Sequence, residues 1–387
     1  MNIVQRLFTL KYICIMKKIT LLLLSLVITT SLLASQNSRV TVFPRTNGGW
    51  VMVDEQGDLV GFAEQGDCNS FSQQTKHSFK QMGAELEVTN QACPAKYEAM
   101  LAQELLDSVG PLLGDIAFGQ GDPYRAQTPV YKGQKCLAGC VAVAVAQIMT
   151  YYQHPKECKG SVTYTTETLG LKITKDFSTF KPDWDNILPT YAKGGYTSQQ
   201  AEAVAELLAN VGAAVHMDYN IDGSGTNSDF VISAIYAYFG YDASSDKIDK
   251  TNYTNEEWHQ IMQDEIDAKR PIYVSSQQQS GSGHAYICDG YKVLKGAEAY
   301  PFYHMNWGWE GDSNGWFLIT KLQPSSDLNL SYNISIIRNI MPAGTSGIED
   351  VTNQLNNETI YDILGRVVTE MTPGNMYIKG GKKFIAR

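Results

Sequence analysis

The run Cys140-Val141-Ala142-Val143-Ala144-Val145-Ala146-Gln147-Ile148-Met149 is the strongest constraint on how this chain can fold. Continued to Tyr152 and stopped before Pro155, it reads as a helix with apolar side chains on nearly every side. Such a helix has no face to show to water, so other elements have to cover it all round. Cys140 is its first residue, directly after Gly139. There the unpaired N–H groups of the first turn and the positive end of the helix dipole favour a thiolate and predict a lowered pKa. The first expectation is a central helix whose thiol end reaches a cleft.

What covers that helix can be read from the rest of the chain. Residues 197–211 open with a Thr197-x-x-Gln200 capping box and stop at Gly212. Two further helices are expected over 229–239, ending at Gly240, and over 255–269, ended by Pro271. Strands are expected at 272–276, 285–288, 300–306 and 315–319. Helices first and antiparallel strands second predict an α+β fold whose two halves meet at a cleft.

The N-terminal part has a different character. Met16-Lys17-Lys18, the apolar residues 21–27 and the small residues Ala34 and Ser35 form an export signal over residues 1–35, with Met16 as a possible true start. Residues 39–62 read as a small β-meander with turns at Asn47-Gly48-Gly49 and Gln56-Gly57-Asp58. Residues 67–94 are polar and weakly patterned, and a helix is expected over 97–109. A leader spanning 36–103 is too short for a robust domain of its own and suits a segment that packs on something else. The core then runs over 104–342, and 343–387 hold a Gly/Ser linker and a small β-type tail. The product is expected to be secreted or held at the cell surface.

Composition removes several functions. A net charge of −9 over 387 residues argues against a nucleic-acid partner. Beyond the N-terminus no apolar run reaches the length of a membrane span. Of seven cysteines, Cys14 goes with the signal, and the spacings lack the CxxC pairs of a zinc site. Cys136 could bridge Cys158, or both could be buried free thiols. No metal and no organic cofactor are expected. Asp312-Ser313-Asn314-Gly315 lacks the bidentate Glu of a calcium loop and reads as a turn.

Two distant segments give Cys140 its meaning. His284, in Gly283-His284-Ala285, follows a glycine loop at the start of a strand, 144 positions after the thiol. That separation suits a Cys–His nucleophile and base in a thiol protease; His304 is its one serious rival. Asn306 could accept the other imidazole N–H, and Trp307 could shield that bond from water. Neighbours on a regular strand face opposite ways, so both can serve only if the chain turns at Trp307-Gly308. Gln120, between Gly119 and Gly121, is the candidate oxyanion donor together with the Cys140 N–H.

With those residues in place, the core resembles the streptopain family of secreted, papain-like cysteine proteases, which includes the interpains. The likeness covers most of 110–342. It is dense at Gln120-Gly121-Asp122-Pro123-Tyr124, Ala138-Gly139-Cys140-Val141-Ala142, Asp183-Trp184-Asp185-Asn186-Ile187-Leu188-Pro189, Gly283-His284-Ala285 and Asn306-Trp307-Gly308-Trp309. The resemblance implies a papain-like two-lobed fold and an endopeptidase acting through an acyl-thioenzyme on protein or peptide substrates. It also implies Cys140 as nucleophile, His284 as base, Gln120 as oxyanion donor, and Asn306 with Trp307 supporting the imidazole. It further implies a zymogen blocked by its own N-terminal prodomain, and a preference for an apolar residue two positions upstream of the cut. The tail, with Tyr361-Asp362-Ile363-Leu364-Gly365-Arg366, is similar to a type IX sorting signal read by a secretion machinery. The competing functions are another thiol amide hydrolase, such as a cell-wall amidase or a transglutaminase, and a non-catalytic surface protein.

Overall fold

The all-apolar helix sits where its composition requires. The computed structural model describes residues 38–81, 84–277, 283–296, 301–319, 334–344, 360–362, 368, 376–379 and 382–385. The export signal lies outside the described residues, as do most of the linker and the Gly281-Ser282 pair before His284. In chain order the leader forms β1 (Ser38–Pro44), β2 (Trp50–Val53), β3 (Leu59–Ala63), α1 (Gln73–Gln81), β4 (Ala84–Val88) and α2 (Ala95–Leu101), and the core begins with β5 (Leu105–Val109). The core continues with β6 (Val130–Tyr131), β7 (Gln134–Lys135), α3 (Cys140–Tyr152), β8 (Ser161–Thr165), β9 (Lys172–Asp176), α4 (Ser198–Ala214), α5 (Asp229–Phe239), β10 (Asp246–Asp249) and α6 (Asn255–Asp267). It closes with β11 (Ile272–Gln277), β12 (Gly283–Leu294), β13 (Phe302–Asn306), β14 (Gly315–Leu318) and β15 (Ser335–Arg338). Three tail strands, β16 (Ile360–Asp362), β17 (Met376–Lys379) and β18 (Lys382–Ile385), pair antiparallel in that order.

Every residue of α3 from Val141 to Met149 is buried. One side packs on α4 and α5 through Val204, Leu208, Val211 and Ile235; another meets the sheet face that carries Tyr273, Ala285, Ile287 and Ile337. Helices on one side and an antiparallel sheet on the other make the α+β, two-lobed arrangement that the sequence predicts. No helix among the described residues is long and apolar enough to cross a membrane.

One sheet joins core and leader, in the order β10-β15-β11-β12-β13-β14-β3-β2-β1-β4, with β5 also on β12. The join is the antiparallel pair β14–β3, where Trp316 faces Phe62 and Phe317 faces Gly61. Val40, Val42, Trp50, Phe71 and Phe79 of the leader share one apolar cluster with Trp258, Tyr286, Trp307 and Phe317 of the core. The leader completes the core's sheet and core, as its size leads one to expect.

Two local expectations are corrected. The helix expected over 97–109 stops at Leu101, and 105–109 form a strand because β12 offers a long unpaired flank, with Val109 opposite Tyr291 and Leu105 opposite Leu294. Tertiary pairing there overrides local propensity. The α4 helix does not stop at Gly212 but runs to Ala214; a side chain at Gly212 would collide with the Tyr219 hydroxyl, so this glycine marks close packing. The cysteines 68, 93, 136, 140, 158 and 288 are all free, Cys136 and Cys158 among them.

Candidate active site

Cys140 is placed by a backbone turn that only glycine makes easily. Gly139 has φ 89°, and a Cβ on it would lie 2.6 Å from the Met217 side chain. Its carbonyl accepts the Val143 N–H at 3.0 Å, which starts α3. Gly139→Ala is expected to cost about 2 kcal/mol or more, from strain at positive φ plus the clash. A lowered midpoint in urea denaturation, together with slower alkylation of Cys140, would show it.

The thiol faces the Ala285 N–H foremost and then the first-turn N–H groups of Val141 and Cys140, all of which favour the thiolate. Burial opposes them and wins, so the thiol pKa is raised rather than lowered. This corrects the expectation drawn from the helix terminus alone, since residue order does not reveal how much protein surrounds the sulfur.

His284 opens β12 and is buried. Its Nε2 lies 2.8 Å from the Trp307 carbonyl oxygen, which can only accept. Nε2 therefore carries the proton, and Nδ1 is left as the acceptor. Burial pulls the imidazole pKa down to about 4 against the smaller opposing pull of the Trp307 carbonyl. Because the folded value lies below the ordinary 6.5, the unfolded chain takes up this proton first. The neutral imidazole's contribution is complete above pH 6.5 and is lost as pH falls towards 4, roughly 3 kcal/mol in all. Urea midpoints at pH 7 and pH 4.5 are expected to differ less in His284→Gln than in the parent.

The carbonyl that holds the ring is itself held. The chain leaves β13 at Asn306 and turns through Gly308, φ 74°, where Val143 leaves no space for a side chain. The Trp307 N–H donates to Asn314 Oδ1 and its indole Nε1 to the Ser313 carbonyl, both at 3.1 Å. The indole of Trp309 stacks on the imidazole at 5.0 Å, Tyr286 lies at 5.9 Å and Trp307 at 6.5 Å. The turn anticipated at Trp307-Gly308 is present, but Asn306 does not use it as expected. Its Nδ2 donates to the Ile116 carbonyl at 2.7 Å, and its Oδ1 accepts the Gly308 N–H at 3.2 Å. Asn306 ties down the turn, while a backbone carbonyl takes the partner's place at the ring. Asn306→Asp would set an oxygen against the Ile116 carbonyl. A tenfold or greater fall in kcat with a nearly unchanged KM is expected, read in peptide hydrolysis.

Gln120 is tied to the segment that precedes the thiol, although it is not among the described residues that line the cleft. Its backbone carbonyl accepts the Ala138 N–H at 3.1 Å, two residues before the thiol. The Phe118 N–H donates to Oε1 of the fully buried Gln147 at 2.9 Å. Gln147, the lone polar residue inside the apolar run of α3, thereby braces the segment that carries Gln120. The rival His304 lies elsewhere, its Nδ1 2.6 Å from buried Asp289, which also accepts the Leu113 N–H. Asp312, from the turn that resembles a calcium loop, accepts the Ser72 N–H and the Thr75 hydroxyl at the start of α1. Cys140 and His284 line one cleft of about 730 Å³.

Comparison with known proteins gives the family. The Peptidase C10 family profile matches residues 118–317, slightly over half of the chain. Streptopain of Streptococcus pyogenes is 31% identical over 314 residues, which cover 75% of this chain and 76% of that protein. The chain belongs to the peptidase C10 family. Another relative, the thiol protease/hemagglutinin PrtT of Porphyromonas gingivalis, is 32% identical over 238 residues, 59% of this chain and 26% of that one. Among solved structures, active interpain A from Prevotella intermedia aligns with a TM-score of 0.53 at 31% identity, over 61% of this chain and 96% of that one. A mutant prointerpain A fragment aligns at 0.58 and 26% identity, over 78% and 98%. The peptidase C10 chain described here is a cysteine endopeptidase made as a zymogen, with a papain-like α+β fold.

Proposed function

We propose that Cys140 is the nucleophile and His284 the general base of this peptidase. The observation that carries the assignment is the shared cleft, in which the imidazole has its Nε2 proton committed to Trp307 and Nδ1 free to accept. On substrate binding the thiol proton passes to Nδ1 as sulfur bonds to the scissile carbonyl carbon. The resulting oxyanion is held by the Cys140 N–H and the Gln120 side chain. The C–N bond then breaks, and Nδ1 returns its proton to the leaving amine. Water, activated by the same imidazole, releases the acyl group from sulfur. Asn306 and Trp307 act by positioning, and Trp309 shields the ring from solvent.

In this proposal residues 1–35 direct export and the product is secreted or surface-held. Residues 36–103 are the prodomain, 104–342 the peptidase domain, and 343–387 a linker and tail that address a secretion machinery. A cut in the turn 102–104, between α2 and β5, would release the leader while β5 stays paired with β12. Met100, Leu105 and Leu106, all about half exposed, make that junction reachable. The test is N-terminal sequencing of the parent and of Cys140→Ala. A new terminus in that turn that depends on Cys140 supports the assignment, and identical processing in both proteins counts against it.

A further inference from the structure

The cleft beside the thiol has a floor that strand register lays out in order. Ala285, whose N–H faces the Cys140 sulfur, stands opposite Ser275; Ser275 stands opposite Ser335, and Ser335 opposite Asp249. These four residues are neighbours across β12, β11, β15 and β10, and all line the cleft. Three strand spacings put Asp249 about 14 Å from Ala285. The opposite wall comes from residues 224–229, mostly hydroxyl, amide and carboxylate side chains, and among the described residues the apolar side chains lining the cleft are those of Val141 and Ala285.

The far end of the cleft carries three charges, Asp229, Lys247 and Asp249. Lys247 is committed to Asp229, at 2.6 Å. Asp249 has no cationic partner among the described residues, so the end of the cleft presents one uncompensated negative charge. Two residues of extended substrate cover about 7 Å, and the stem of a lysine or arginine covers most of the remainder.

We propose that Asp249 selects substrates with a basic side chain two to three residues from the scissile bond, seated along the Ser275–Ser335 floor. The proposal rests on the assignment of Cys140 as nucleophile. Selection by one exposed carboxylate is worth about two- to fivefold in kcat/KM and weakens with salt. A salt-dependent preference also separates it from simple fit of a long side chain.

The test uses the activated protein and quenched peptides of one parent sequence. Lysine, norleucine or glutamate is walked over three positions on each side of the cut. Lysine is expected to exceed norleucine by two- to fivefold at one position two or three residues away. Asp249→Asn is expected to remove that preference, Asp249→Glu to keep it and Asp249→Lys to turn it towards glutamate. Iodoacetamide labelling of Cys140 in each variant reports whether the catalytic site is intact. Norleucine equal to or better than lysine at every position, or a lysine preference that survives Asp249→Asn, overturns the proposal while leaving the peptidase assignment standing. Absence of any Cys140-dependent cleavage or labelling in the parent removes the assignment, and the proposal with it.

Discussion

Cys140→Ala is expected to lower kcat/KM for casein-derived peptides by about 10⁴-fold or more, to the level that binding and oxyanion donors alone sustain. Among the described residues no other side chain lining the cleft is a thiol, so none can form the thioester. The effect should be non-additive with His284→Ala, because thiol and imidazole act as one unit. Each single variant should lose nearly as much as the double variant. Folding is expected to be preserved, as Cys140 is only partly buried and the change removes one sulfur. Steady-state kinetics, iodoacetamide adduct mapping and circular dichroism on the same three variants check all of this; casein cleavage that persists in Cys140→Ala would sink the assignment.

Phe79→Asp is expected to loosen the leader more than any other single change in it. The buried Phe79 ring lies edge-on to the stacked indoles of Trp307 at 5.6 Å and Trp309 at 5.3 Å, the same two residues that pack on His284. Losing a buried phenylalanine costs about 3–5 kcal/mol, and a carboxylate in its place would be buried without a partner. Since about 1.4 kcal/mol is a factor of ten, the docked leader should be disfavoured by at least about 10²-fold. The hydrogen bonds from Ser72 and Thr75 to Asp312 and the β3–β14 pairing remain, so the leader should loosen locally before the core unfolds. In a Cys140→Ala background this would appear as faster trypsin cleavage within residues 38–101 and a lower thermal midpoint. An unchanged digestion rate would show that Phe79 does not hold the leader. No described leader residue lines the cleft towards Asp249.

Much of the site was legible along the chain because each part has its own local signal. A helix apolar on almost every side must be central, and a thiol at its first residue must sit where first-turn N–H groups converge. A glycine-flanked histidine at a strand start and a glutamine between glycines are equally local. What could not be read is which atom of a neighbour faces the imidazole. Asn306 and the Trp307 carbonyl are one residue apart, and the turn at Gly308 decides between them. The thiol pKa was misjudged for a related reason, since a helix terminus is local but burial is a property of everything packed around it.

By itself the sequence determined the α+β class, the central helix and the need of a short leader for a partner, and it singled out Cys140 and His284, which line one cleft. These follow from side-chain periodicity, capping residues and spacing, all short-range properties of a chain. The tertiary structure alone decided that a backbone carbonyl orients the imidazole, that the leader enters the core's own sheet through β3–β14, and that four strands line up Ala285, Ser275, Ser335 and Asp249. Each depends on register between segments far apart in sequence. Register is set by how whole faces bury together, and a one-residue slip would turn every side chain to the other side.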